Sequence, residues 1–411
     1  MCKLPKTNLS PSTNTYTNDL LTSLTQSGTL DQSINYTYNN DFEVISTTYA
    51  GTTTNYSYDN DGLLTQSGDF TLTRDTENGF VTNISDGVLS VENRYNGYGE
   101  LQTQTSQNFQ LTLVRDEDSN SREKHHKEKS CKDTHKHSKH ETINSKITHK
   151  EEIVVTYKDH KQKHKKDDHD KHSKHPHKPK VSKIEYDYTY DKNGRLTDVV
   201  KNHKNVEHYE YDANGNRIKA KVYGKTITAT YDQEDGIDTY EDNTYTYDTD
   251  GQLNQKITNE GITTYSYNSQ GNLTKVVTPT NTIEYILNPL GQRVAKKVGG
   301  TITEKYLWAN LTTLLATLDA NNNIIQRYNY TDSRVPTSMQ QDGKTYYLHY
   351  DQVGTLKAIS DTNHNIVKEI TYDTYGNILE DTNPSFKIPF GFAGGLQDQD
   401  TQLVHFGYRE Y

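Results

Sequence analysis

Tyr186-Asp187-Tyr188-Thr189-Tyr190-Asp191-Lys192-Asn193-Gly194-Arg195-Leu196 decides the fold of this chain. Its first half alternates aromatic with polar or β-branched residues, the period-2 pattern of a strand that shows a different side-chain type to each face. Its second half is a turn. The Asp191 carboxylate can bond backbone amides ahead of it, Gly194 supplies a positive φ, and Leu196 opens the return strand. The pattern Tyr-Asp-x-x-Gly-x-Leu recurs from Tyr58, Tyr190, Tyr211, Tyr247, Tyr267, Tyr350 and Tyr372, with a looser copy at Tyr231. Neighbouring copies lie about 20 residues apart, which is the signature of a repeat architecture.

The turn positions are therefore Asp59 and Gly62, Asp191 and Gly194, Asp212 and Gly215, Asp248 and Gly251, Gly271, Asp351 and Gly354, and Asp373 and Gly376. A second, less regular turn falls midway through each period, at Tyr223-Gly224, Glu260-Gly261, Gly299-Gly300 and Asp342-Gly343. Turns at such intervals suit short antiparallel strands in a meander, and no window carries the 3.6-residue periodicity of a long helix. The predicted fold is all-β, with hairpins in one continuous curved sheet.

Composition agrees once tyrosine is weighed. Only 30% of residues are hydrophobic, and the mean hydropathy is strongly negative. On that basis alone the chain would read as disordered. The 32 tyrosines reverse this, because each ring buries a large apolar area behind one polar tip. A repeat chain of 411 residues also need not divide into globules, since each unit buries itself against its neighbours.

Between Ser121 and Lys180 the character changes. The stretch holds 18 Lys and Arg against 10 Asp and Glu, together with 12 of the 17 His, so it carries +8 while the rest carries −18. It reads as a disordered low-complexity insertion, interrupted by one strand-like island, Ile153 to Tyr157. The pairs His125-His126, His135 and His137, and His175 and His177 offer imidazoles close enough to meet at one Zn or Ni ion. The same composition also reads as a merely solvated tract, or as a polybasic contact with an anionic surface. These alternatives stay open at the level of sequence.

Other chemistry is sparse. Cys2 and Cys131 support no disulfide framework, and no phosphate loop, nucleophile elbow or zinc-protease motif is present. The turn aspartates lack the dense oxygen loop that Ca sites use. No cofactor is expected, nor any specific nucleic-acid partner. The N-terminus lacks the apolar core of a signal peptide, and no run of apolar residues is long enough for a spanning helix.

From Tyr306 the sequence reads YLWANLTTLLATLDANNNIIQRYNY, then KTYYLHYDQVGTLKAISDTNHNIVKEITYDTYGNILE from Lys344 and PFGFAGGLQDQDTQLVHFGYREY from Pro389. With the upstream repeats, this ordered series resembles the Rhs/YD-repeat family and its C-terminal Rhs-associated core, and it is related to the teneurin YD shell. The resemblance implies a β-shell that encloses or delivers a C-terminal toxin, or joins a separate toxin or shell component, at a secreted or cell-surface location. It also marks Pro389, Phe390, Gly391, Gly394, Gly395, Leu396, Phe406, Gly407 and Arg409 as the core motif. Many family members cleave themselves by an aspartate-dependent step in a segment that follows this motif. Nothing up to Tyr411 matches that segment, and Asp398 and Asp400, neighbours in a turn, offer no acid–base geometry by themselves.

The expected organisation is degenerate repeats over 1–119, the insertion over 120–183, repeats over 184–305 and the core region over 306–411. No enzymatic activity is expected. The competing reading is a carbohydrate-binding or adhesive module in which exposed Tyr rings stack on glycans. The orientation of Tyr188, Tyr190, Tyr209, Tyr211, Tyr245, Tyr247, Tyr265 and Tyr267 separates the two.

Overall fold

A computed structural model describes residues 11–116, 146–157, 179–407 and 409–411. Among the described residues thirty-two strands, numbered in chain order from β1 (Ser12–Thr17) to β32 (Ile378–Asp381), form one sheet, and each is paired antiparallel with its neighbour in sequence. Among the described residues β1 pairs only with β2 (Leu20–Gln26) and β32 only with β31 (Ile366–Tyr372), so the sheet is not closed into a barrel. The chain is all-β, and three further short strands, β33 (Leu396–Gln397), β34 (Val404–Phe406) and β35 (Arg409–Glu410), make a small second sheet.

The repeated turn has one construction. At Asp59 a single carboxylate oxygen accepts the amides of Asp61 and Leu63 at 3.0 and 2.9 Å, while the backbone closes from Asp59 N–H to Leu63 C=O. Asp191, Asp248, Asp351 and Asp373 repeat this arrangement. At Asp212 the two amides come from Gly215 and Asn216. The glycines at 62, 194, 215, 251, 271, 354 and 376 all have φ between +75° and +98°, a region that costs an L-residue about 1–2 kcal/mol. Beside each such turn the register slips by one residue, for example between Ser57 and Tyr58. A bulge at the same point of every repeat bends and twists the strands there.

A second device joins one repeat to the next. The Tyr58 hydroxyl donates to the carbonyl of Val44, the residue that opens the return strand of the preceding repeat. Tyr38, Tyr95, Tyr190, Tyr211, Tyr231, Tyr247 and Tyr330 reach in the same way to Leu21, Val81, Ile147, Leu196, Arg217, Ile237 and Leu314, at 2.7 to 3.1 Å. Trp308 substitutes an indole N–H, donating to Arg293 C=O at 2.7 Å. A row of these stitches runs along the turn-bearing edge of the sheet.

The stretch expected to be an insertion contains more sheet than the sequence suggested. Strand β12 (Ile147–Thr156) spans ten residues between β11 (Phe109–Arg115) and β13 (Lys180–Tyr190). Its alternation was hidden because two inward positions are Lys150 and Glu152, both almost fully buried. The six candidate histidines, with Cys2 and Cys131, lie outside the described residues.

The C-terminal third lies across the Tyr-bearing face of the earlier strands. Tyr36 and Tyr49 donate to the carbonyls of Ala309 and Leu315, Arg74 pairs with Asp332, Tyr347 donates to Asp86, Asn108 to His364, and Tyr209 meets Thr374. Both partner series ascend together, so residues 309–374 track over residues 36–209. Leu30, Ile34 and Tyr49 pack with Leu307, Leu315, Ala316 and Leu318 in one buried cluster. The most enclosed strand in this third, β26 (Leu314–Leu318), is buried on both faces, with all five residues buried.

Candidate functional site

The core motif closes this layer. Phe390 sits in the largest apolar cluster, edge-on to Tyr328 with ring centroids 5.0 Å apart. Gly391 C=O accepts from Leu356 N–H, which ties the motif to β30 (Leu356–Asp361), and Gln397 N–H donates to Pro389 C=O within the motif. Leu396 forms an isolated bridge with Phe390. Gly395 has no room for a side chain, since a Cβ there would stand 2.5 Å from Val404 and 2.8 Å from the Phe406 ring. Gly394 and Gly407 hold positive φ, at +74° and +73°. Phe406 and exposed Arg409 face each other in the small sheet.

Beyond the motif, the segment docks on three wall strands through buried charge. Tyr285 on β23 (Thr282–Leu287), Lys296 on β24 (Arg293–Val298) and Glu304 on β25 (Thr301–Trp308) stand abreast as direct cross-strand partners. Asp398 descends on this row. Its two oxygens accept from Lys296 Nζ and from the Tyr285 hydroxyl, each at 2.7 Å. Lys296 also reaches Asp400, whose side chain is 40% exposed, at 2.6 Å. Alongside, the Arg293 guanidinium stacks 3.6 Å over the Tyr285 ring and pairs with Glu410 at 2.6 Å, and Glu410 also bonds His405 at 2.7 Å.

Burial acts on Asp398, Glu304 and His405. It would raise the Asp398 carboxyl, but the Lys296 ammonium, by charge and hydrogen bond, and the Tyr285 hydroxyl together hold it below its ordinary value. Burial pushes the Glu304 carboxyl up, and the hydrogen bond from Tyr306 and the charge of Lys296 only partly offset this. For His405, burial outweighs its bond to Glu410 and lowers the imidazole.

Of the residues picked out by sequence, the structure thus gathers Asp398 and Asp400 at one lysine. Tyr285, Arg293, Lys296, Glu304 and Glu410 were not singled out. Each is an ordinary polar strand residue, and its partner lies about a hundred positions away in the case of Lys296. A cavity of about 850 Å³ opens beside the dock between the turn at Gly376 and the small sheet, lined by Tyr375, Ile378, Phe392, Val404, Phe406 and Arg409 among others. Among the described residues no group of three or more His, Cys, Asp or Glu is placed to hold a metal ion.

The family model for the teneurin YD-shell matches residues 6–170 and 121–411. Chicken teneurin-1 (Gallus gallus) and human teneurin-1 are each 35% identical over 241 residues, 55% of this chain and 8% of theirs. The tRNA3(Ser)-specific nuclease WapA of Bacillus spizizenii is 26% identical over 231 residues, 53% of this chain and 10% of that protein. The chain thus spans about a tenth or less of the length of these curated relatives. Among solved structures, the Photorhabdus luminescens Tc holotoxin pore aligns over 97% of this chain and 19% of the other, with TM-score 0.58 and 13% identity. The TcdB2–TccC3 crystal structure aligns over 97% and 20%, with TM-score 0.53 and 13% identity. At that identity the likeness is one of fold. Taken with the Tyr-Asp turns, the stitched meander and the docked core motif, the match across nearly the whole sequence places this chain in the teneurin YD-shell family.

Proposed function

We propose that this shell scaffold is a containment wall, which encloses or delivers a toxin component in competition between bacteria or in contact with a host. The single observation that carries the reading is the use made of the Tyr-bearing face. It is covered by the chain's own C-terminal third, whose core motif is docked against that same layer. The wall is export-borne or surface-displayed in this reading. Among the described residues no helix is long and apolar enough to cross a membrane, which says nothing of a β-barrel.

The eight tyrosines that separate the two sequence readings favour containment. Tyr209 and Tyr265 are buried and the other six are half-buried, while the hydroxyls of Tyr190, Tyr211 and Tyr247 are committed to backbone carbonyls. Two of these rings are closed to a sugar and the other six are partly covered, which supports a packing role over a stacking one. The test is protection. A protease-sensitive reporter polypeptide fused behind Tyr411 is expected to be digested at least an order of magnitude more slowly than the free reporter. Equal rates would overturn the reading, and glycan-array binding lost on Tyr→Ala substitution would replace it with the adhesive one.

A further inference from the structure

A second cavity, of about 220 Å³, lies between the wall and the C-terminal layer. Ile84, Val91, Leu101 and Phe109 line it from the wall, and Val335 and Leu348 from the layer. Most of its polar lining is engaged. Ser106 Oγ and His349 Nδ1 meet at 3.3 Å, Gln104 donates to Asn93, Arg334 donates to Val353 C=O, and Asp351 holds the amides of its own turn. Two lining residues keep a buried polar atom that has no hydrogen-bond partner among the described residues, the Tyr350 hydroxyl and Gln352 Oε1. Tyr350 is itself only 8% exposed. The register shows why its hydroxyl is left over. Arg327, three residues before Tyr330, pairs with Ala316, and Tyr330 donates to Leu314, two residues before Ala316. The same count from the pair Tyr347 and Ser338 assigns Tyr350 to the Pro336 carbonyl. Here Thr331 to Pro336 replace the usual Asp-x-x-Gly turn, Pro336 stands on the cavity wall, and the stitch is not made.

We propose that this cavity is a binding site for one small, neutral, single-ring molecule bearing a hydroxyl group, a phenol in the simplest case. A buried hydroxyl and a buried amide oxygen without partners carry a desolvation penalty that a guest able to bond both recovers. Such a guest must accept from Tyr350 and donate to Gln352, which a hydroxyl group does and a carboxylate does not. Arg334 and Asp351 both line the cavity, so neither sign of charge is favoured in it. Size and lining set the rest. An apolar cavity of about 150 Å³ takes benzene, so the larger space here suits a ring with a substituent, its apolar edge against Leu101 and Phe109. The guest would fill the one joint between wall and layer at which a buried tyrosine is left unstitched.

The test is a fluorine NMR titration of the full chain with para-fluorophenol, and with fluorobenzene as the probe that lacks the hydroxyl. The expected result is saturable binding of one fluorophenol per chain, about tenfold tighter than fluorobenzene. Tyr350→Phe should erase that preference and yet melt at or above the wild-type temperature, because the hydroxyl it removes has no partner in the protein. Val91→Phe, which fills the cavity from its apolar side, should abolish binding of both probes. Three results would each overturn the proposal. Absence of saturable binding would leave the cavity to water, fluorophenol binding unchanged in both variants would put the probe elsewhere, and earlier melting of Tyr350→Phe would mean that the hydroxyl is already engaged within the chain.

Discussion

Two parts of one sheet use the same turn and live in different environments. In β21 (Gly261–Tyr267), part of the outer wall, only Tyr265 is fully buried, and the Thr and Ser positions between the tyrosines face outward or are only partly covered. In β26, part of the C-terminal layer, every residue is buried. The wall strand needs one apolar face and obtains it from tyrosine, whereas the layer strand is enclosed on both sides and reads Leu-Leu-Ala-Thr-Leu. Turn chemistry sets the topology in both, and what covers the second face sets the composition.

If the layer carries most of the stability, breaking its charge pairs should cost far more than breaking the wall's. Glu152 is 2% exposed between Lys150 and Lys357, at 2.9 and 3.2 Å. Burial would raise its carboxyl, but Lys357 and Lys150 bring it down to about 2. Lys357→Ala strips one partner from a buried charge and is expected to cost about 3–5 kcal/mol in urea unfolding. The wall pair Lys219–Glu210, nearly half exposed on both sides, should cost about 0–1 kcal/mol on Lys219→Ala. Equal losses would mean that the layer is not the dominant element.

Acid should attack the layer selectively. His349 is buried between Ser106 Oγ at 3.3 Å and Ser360 Oγ at 2.8 Å, and burial, with His364 nearby, lowers its imidazole from 6.5 to about 4. The folded state therefore prefers the neutral ring. Its stabilisation is complete above about pH 6.5 and is lost as pH falls toward 4, by roughly 3 kcal/mol in all. His349→Gln should flatten that part of the stability profile, and an unchanged acid slope would exclude His349 as its source.

A smaller contrast separates two turns of identical design. An alanine Cβ at Gly376 would stand 2.6 Å from the Phe392 ring, whereas at Gly251 it meets nothing within 4 Å. Both changes carry the positive-φ cost, so Gly376→Ala should exceed Gly251→Ala by about 2 kcal/mol from crowding alone. Thermal shifts of the two variants give that difference directly. The smallest effect belongs to a single stitch. Tyr58→Phe removes one hydroxyl from the Val44 carbonyl and should cost about 1 kcal/mol. Hydrogen exchange should show it as faster opening confined to the neighbouring repeats, since stability in such arrays is local.

Most of the wall was legible because its turns announce themselves. Asp at the first position and Gly at the fourth leave few alternatives for residues such as Asp191 and Gly194. β12 was only partly legible, because Lys150 and Glu152 occupy inward positions and make a buried strand look like part of a charged tract. The dock was not legible at all beyond Asp398 and Asp400. Lys296 looks like any surface lysine until the coil brings residue 398 over it, and no local pattern encodes that approach. Trp308 likewise hides its role, since only the shared geometry shows that an indole N–H replaces a phenol.

The tyrosine stitch has one more consequence, which concerns how such chains change over generations. Its acceptor is always a main-chain carbonyl, which every residue possesses, so a unit makes no demand on the side chains of the one before it. Tyr190 meets Ile147 C=O at 2.8 Å although 43 positions separate them, about three times the interval at Tyr58. A copy gained, lost or split by foreign sequence leaves its neighbours with the same bond to make. Diversification by recombination therefore needs no compensating substitution at the joint.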